Sequence, residues 1–345
     1  MTELRRGPAA APPAAPVRLI GIDIDGTLLD SRSRLPERNR SAVRAAVDRG
    51  IHVVLVTGRA YHHAMPIARK LHGLPAPESA GGGLDGAGVA RSATDGDGSG
   101  GTTAPARGDE TAPAGDATSC DGTLIVSNGA LTKGTDGATR ACRLLPRAIA
   151  RGVVAAMRPR HQGVAAIFDR PDARQYVYEG IDWSNPNRAW YYERNRAYMT
   201  RAERIEEALT DDPVQIGFTG SVAEMRALHE AIRDLPEAGR VTPMLTEYPA
   251  RDFSLLDIIA RGCSKGSGLA AWARRLGLDP AEVMAVGDNL NDLEMLEFAG
   301  RPVVMGNAVA ELKARGWPVA ATHDECGLAD AVEAAARQES APQTA

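Results

Sequence analysis

Three short apolar runs in this chain each end on polar residues of the kind that carry chemistry. VRLIGI (17–22) leads into Asp23-Ile24-Asp25-Gly26-Thr27, and IHVVLV (51–56) into Thr57-Gly58-Arg59. EVMAVG (282–287) leads into Asp288-Asn289-Leu290-Asn291-Asp292. Short runs without polar alternation read as strands buried on both faces, as in the middle of a parallel sheet. Residues 36–48 and 60–72 follow the first two runs with helical spacing. The first helix is expected to stop at Gly50, and Pro66 is expected to kink the second. Strand, helix, strand, helix predicts a parallel sheet with crossover helices. TLIVS (123–127) continues the pattern, and 131–143 predicts a hairpin with Gly134 and Asp136-Gly137 at its turn. Helices are expected at 265–276, closed by Gly277, and at 290–299, with a last strand at 302–305. Ligands of such sheets sit beyond the carboxyl ends of the strands, where the three polar clusters fall.

Between 146 and 258 the texture becomes α+β. Helices are expected at 146–158, 200–210 and 221–235, and strands at 163–169, 174–179, 213–218, 239–246 and 252–258. This block reads as a second unit inserted into the first, which then spans 17–145 and 259–337. The Ala/Pro-rich residues 1–16 and the residues 338–345 read as disordered tails. Residues 76–122 hold twelve glycines and no Ile, Phe, Tyr or Trp, with eight acids against two bases. Such a segment cannot bury enough apolar surface to offset chain entropy, so it reads as a disordered insertion. Its lexical GxGxxG at Gly96, Gly98 and Gly101 has no strand before it and no helix after it.

A net charge of −4 supplies no basic field for nucleic acid. No apolar run approaches the ~18–20 residues of a membrane span. The first residues lack the apolar core of a secretory signal. Cys120, Cys142, Cys263 and Cys326 lie far apart, which suits neither a zinc site nor a disulfide framework. A reducing cytoplasm is the expected location.

The polar clusters suggest one site. Carboxylates at i and i+2, Asp23 and Asp25, project the same way from extended chain, and Gly26 lets the backbone turn away. Thr57 and Gly58 offer a hydroxyl and free N–H groups. Lys265 opens a helix, which places its charge at the positive end of the helix dipole, a setting that suits phosphate. Asp288 and Asp292 add oxygen ligands with no His or Cys, the chemistry of a hard cation such as Mg²⁺. Each part also has a plain structural reading. Thr-Gly is an ordinary turn, and Asp288 or Asn289 would serve as a helix N-cap.

The order Asp23-x-Asp25-Gly-Thr, Thr57, Lys265, Gly287-Asp288-x-x-Asn291-Asp292 closely resembles the haloacid-dehalogenase-like phosphatase superfamily. The finer similarity is to its Cof-type, or IIB, branch. The residues that carry it are Thr57-Gly58-Arg59, Asn128-Gly129-Ala130 and the stretch SKGSGL…VMAVGDNLNDLEML…VVMGNA. The resemblance implies a Rossmann-like α/β core with an inserted α+β cap of the C2B type. It implies that Asp23 attacks phosphorus and that Asp25 protonates the leaving alcohol and then activates water. Mg²⁺ would be held by Asp23, the backbone oxygen of Asp25 and Asp288, with Asp292 supporting it. Thr57, Lys265, Asn291 and the backbone N–H groups of Ile24 and Gly58 would hold phosphate oxygens. Arg59 and Asn128 could touch substrate or serve structure beside the pocket.

Tyr176, Tyr178, Trp183, Trp190, Tyr191, Tyr192 and Tyr198 crowd one stretch of the inserted block, mixed with Asn187 and Arg188. Such rings can bind a polyol or form a small core of their own. Trp183 and Arg188 are candidate substrate contacts. The expected function is hydrolysis of a small phosphorylated metabolite, such as a sugar phosphate, with neither nucleic acid nor membrane as partner. Oligomeric state is not legible. A phosphohexose mutase, using Arg158, Arg160, Arg174 or Arg188 for a second phosphate, and a phosphate-binding regulatory module without turnover are the alternatives.

Overall fold

The computed structural model describes residues 15–74, 122–170 and 174–338. The expected tails and the 76–122 insertion lie outside them, apart from residues 15, 16, 122 and 338.

The strands, in chain order, are β1 Leu19–Ile22, β2 His52–Val56, β3 Thr123–Val126, β4 Leu131–Gly134, β5 Thr139–Cys142, β6 Val164–Ile167, β7 Tyr176–Glu179, β8 Met199–Arg201, β9 Gln215–Gly220, β10 Val241–Tyr248, β11 Phe253–Ala260, β12 Val283–Gly287 and β13 Arg301–Val304. They form two sheets, ordered β13-β12-β1-β2-β3-β4-β5 and β10-β11-β9-β6-β7-β8. The first is parallel from β13 to β3, and β4 and β5 close its edge antiparallel. The fold is therefore an α/β core with an inserted α+β cap.

The unbroken apolar runs have a direct cause. Side chains alternate between two faces, and both faces are covered. Ile20, Ile22, Val53, Leu55, Met284 and Val286 pack on one side with the helices Glu37–Val47, Tyr61–His72 and Gly327–Gln338. Leu19, Val54, Val56, Val283 and Ala285 pack on the other with Lys265–Arg275 and Leu293–Phe298. The helix Tyr61–His72 spans Pro66 as a single assigned element and ends on Gly73 in the left-handed conformation (φ 67°). It returns the chain to the amino-terminal edge of the sheet, and β3 starts from that same edge, parallel to β2.

In the second sheet, Val164, Ala166, Ile216, Phe218, Leu256 and Ile258 pack against Arg147–Met157 and Val222–Ile232. Gln215 and Asp257 occupy the opposite face, which meets the core at Asn128. A helix expected at 200–210 is instead the edge strand β8 and the single turn Ile205–Ala208. Tertiary contacts fix where that turn begins. Glu179 accepts from the Ile205 N–H at 2.8 Å, and Arg158 holds Glu206 at 2.6 Å. The helix Pro186–Asn195 was not anticipated, although its start is a legible signal. Asn185 caps it by accepting from the Asn187 N–H at 2.9 Å, with Pro at the first position. Among the described residues, no helix is long and apolar enough to cross a membrane.

Candidate active site

The β1 end supplies Asp23, which is 4% exposed. The backbone then turns at Gly26 with φ 87°, and a Cβ there would lie 2.2 Å from Asp288 Oδ2. Only glycine lets the β1 loop sit against the β12 loop in this way. Asn307, in the VVMGNA segment, clamps the same junction. Its Nδ2 donates to the Gly26 carbonyl at 2.8 Å and lies 3.4 Å from Asp288 Oδ2. Asn307 lies in the VVMGNA stretch that carries the resemblance, but no local rule assigns its side chain to the site.

Lys265 enters from the first turn of the helix Lys265–Arg275. Ser264 and Ser267 fix that turn with a reciprocal capping box. Buried to 1% exposure, the lysine donates from Nζ to Asp23 Oδ1 and to Asp292 Oδ1, both at 2.6 Å. Burial alone would lower its pKa, but the two carboxylates reverse this, and the net shift is upward. Asp292 also accepts at Oδ2 from the N–H groups of Asp288 and Asn289, at 2.9 and 3.0 Å. It therefore organises the β12 loop, and Asn289 is a helix N-cap as well as part of the motif.

Carboxylate oxygens of Asp23, Asp288 and Asp292 all lie within 4.8 Å of one another. Burial raises the Asp23 carboxyl to about 7; Lys265 opposes this, while Asp292 and Asp25 add to it. Burial, then Asp23 and Asp292, raise Asp288 as well. Asp23 Oδ2 is buried without a partner. Four carboxylates, Asp23, Asp25, Asp288 and Asp292, face two cations, Lys265 and Arg59. A divalent hard cation would balance the set, and its oxygen donors suit one.

Arg59 grips Asp25 in a bidentate pair, with Nε to Oδ2 at 2.6 Å and Nη2 to Oδ1 at 2.5 Å. The Asp25 side chain is 35% exposed, against 5% for Asp23. The more open carboxylate is thus held in place by arginine, and the more buried one by lysine. Thr57 is buried, and its Oγ1 accepts from the Arg59 N–H at 3.1 Å. Ile24, between Asp23 and Asp25 in sequence, is buried as well. A Cβ on Gly58 would come 3.1 Å from Asn128 Oδ1, so motif and turn are in close contact.

Asn128 sits in the left-handed conformation (φ 50°), is fully buried, and accepts at Oδ1 from Asn291 Nδ2 at 3.1 Å. Sequence reasoning missed Tyr248 at the end of β10. Burial and the carboxylates of Asp25, Asp23 and Asp288 raise its hydroxyl pKa, so the cap places a phenol near all three. Glu247 beside it bonds through its backbone carbonyl to Asn289 Nδ2 at 2.9 Å.

The candidate cap contacts are placed differently. Trp183 packs in a cluster with Tyr176, Tyr178, Tyr191 and Tyr192. Arg188 donates from Nε to Thr219 Oγ1 at 2.9 Å and from Nη2 to the Thr219 carbonyl. Its hydrogen bonds stay within the cap. The aromatic cluster also reaches the core, where the Tyr191 hydroxyl lies 3.4 Å from His63 Nδ1.

The family model for haloacid dehalogenase-like hydrolases matches residues 20–86 and 110–332. The chain belongs to that family. Curated relatives that match it over most of their length are phosphatases by name. The chain is 26% identical over 338 residues to phosphatase YwpJ of Bacillus subtilis, covering 91% of this chain and 98% of that one. It is 27% identical over 303 residues to the HMP-PP phosphatase of Serratia proteamaculans, covering 86% of each. The solved subclass IIB sugar phosphatase BT4131 has the same fold, with a TM-score of 0.64 at 19% identity over 92% of this chain and 98% of that one.

Proposed function

We propose that this hydrolase cleaves small phosphomonoesters, such as sugar phosphates, by way of an aspartyl-phosphate and with Mg²⁺. The observation that carries the reading is the convergence of Asp23, Lys265, Asp288 and Asp292 at the strand ends, with one oxygen of Asp23 unpartnered. On this reading Asp23, the Asp25 carbonyl and Asp288 would hold the cation, with Asp292 behind them. When bound, the cation offsets the negative charge of the phosphate. Asp23 attacks phosphorus while Lys265 steadies it. Asp25 gives its proton to the leaving oxygen and later takes one from water. Thr57, Asn291, Lys265 and the N–H groups of Ile24 and Gly58 hold the phosphate oxygens.

The core on this reading comprises 17–145 and 259–337, and the cap 146–258, which shields the site from water. Hydrolysis is favoured over mutase chemistry by the fate of two cap arginines. Arg158 is committed to Glu179 and Glu206, and Arg188 to Thr219. A cytoplasmic setting accords with Cys142, Cys263 and Cys326, which are free thiols. The decisive experiment is phosphate release from a broad panel of phosphorylated metabolites, with Mg²⁺ and with a chelator. Release that persists unchanged in chelator overturns the metal reading, and no release from any ester overturns the hydrolase reading.

Two expected results arise here. Arg59→Ala frees Asp25 from its bidentate clamp. It should lower kcat/KM for alkyl and sugar phosphates by ~10–100-fold, within the usual range for acid–base assistance. p-Nitrophenyl phosphate, whose leaving group needs little protonation, should suffer far less; equal losses would place Arg59 on the phosphate instead.

The second concerns pH. The Asp23 carboxyl ionises near 3.8 in the unfolded chain but at about 7 when buried without metal. The metal-free fold therefore loses stability as pH rises through that window, and protons compete with the cation as pH falls through it. Mg²⁺ should raise Tm more at pH 8 than at pH 5.5. An equal shift at both would mean that the cation does not bind these carboxylates.

A further inference from the structure

One buried carboxylate of the cap has no part in the chemistry above. Asp257 lies on β11, three residues before that strand ends at Ala260, where Ile259 and Ala260 already pack in the core cluster. It is 7% exposed, and each of its oxygens takes one amide donor. Gln215 Nε2, from the neighbouring cap strand β9, donates to Oδ1 at 2.9 Å. Asn128 Nδ2, from the core, donates to Oδ2 at 3.1 Å.

The second bond sets a direction. An ionised carboxylate only accepts, so the amino group of Asn128 must face Asp257. Asn128 Oδ1 then faces the other way, where it accepts from Asn291 Nδ2 at 3.1 Å. That in turn fixes which edge of the Asn291 amide is the donor edge. One N–H of that amino group is used by Asn128, and the other remains for a ligand. Asn128 and Asn291 are 0% and 4% exposed, so water offers little competition for these bonds.

We propose that Asp257 is a positioning residue. Acting from the cap through Asn128, it holds the Asn291 amide with its N–H toward the phosphate site. The contact is made where the cap meets the core, so seating the cap and presenting the phosphate donor are one event. The carboxylate accepts from both amides at once. In Asp257→Asn, one of the two donors would meet an amino group. This inference rests on the placing of phosphate at Asn291 in the proposed function. It concerns how that donor is oriented, and it does not require turnover.

The test is therefore binding as well as rate. Inorganic phosphate with Mg²⁺ is titrated calorimetrically at pH 8, above the value of about 7 to which burial raises Asp257. Wild type, Asp257→Asn, Asn291→Ala and the double variant are compared, with kcat/KM for p-nitrophenyl phosphate measured on each. Asp257→Asn should weaken phosphate binding and lower kcat/KM by roughly tenfold each, the scale of one hydrogen bond to a charged group. In the Asn291→Ala background the same change should cost less than about twofold, because the relay is already cut.

Asn128→Gly tolerates the left-handed backbone and cuts the relay from the core side. It should reproduce the Asp257→Asn loss, and it keeps the proposal testable if Asp257→Asn fails to fold. Fully additive losses, an unaffected phosphate affinity in Asp257→Asn, or a wild type that binds no phosphate would each overturn the positioning role. Tight phosphate binding with the expected non-additivity but no ester hydrolysis would overturn the hydrolase reading and leave the positioning role standing.

Discussion

Asp23→Asn is expected to lower phosphate release by at least ~10³-fold, the scale seen when a covalent nucleophile is removed. It should do so without loss of stability. Asp23 is buried among Asp25, Asp288 and Asp292, and both burial and Asp292 raise its carboxyl. A neutral amide of the same size removes one uncompensated charge and still offers an oxygen to Lys265 Nζ, now 2.6 Å from Asp23 Oδ1. Tm in metal-free buffer at pH 8 should therefore hold or rise. Phosphate release from a metabolite panel and thermal melts on one preparation check both halves. Activity that survives the change would show that Asp23 is not the nucleophile, and activity lost together with Tm would point to structure.

Lys265→Met should be costly in both respects. The ammonium is 1% exposed and is the one cation paired with Asp23 and Asp292, at 2.6 Å each, among the described residues. An apolar side chain of similar length leaves those carboxylates buried beside Asp288 with no cation. Removing one partner of a buried ion pair typically costs ~3–5 kcal/mol. Losing the positive charge from the phosphate site should cost ~10²–10³ in kcat. Urea melts and steady-state kinetics measure the two. Adding Asp292→Asn should restore part of the stability and none of the rate. If the double variant is no more stable than Lys265→Met, the destabilisation comes from packing and not from charge.

The core and its four motifs were legible because each rests on a local rule. Leu19–Ile22 and Val283–Gly287 are buried on both faces, so their apolar runs are continuous and their polar ends stand out. Gly26 and Lys265 sit where a turn and a helix start require them. What escaped is set by contacts far apart in sequence. Asp257 meets Asn128 across 129 positions, and Asn307 reaches Gly26 across 281. No periodicity in one segment encodes such a pairing. Arg59 illustrates the same limit. The sequence places it at a strand end, but only the fold turns its guanidinium onto Asp25. The aromatic stretch was visible as composition. Its helix Pro186–Asn195 is signalled only by the Asn185 cap and Pro186 at its start, which composition does not register.

Tyr61–His72 ends, and β3 begins, at the amino-terminal edge of the core sheet, while the polar side chains of the candidate site cluster at the opposite edge. Register of β2 against β3 is fixed by pairs such as Leu55 with Leu124, whatever length of chain joins them. That junction is thus a natural graft point. A reporter, tether or second module spliced between 74 and 122 would be anchored at the edge of the sheet opposite the candidate site.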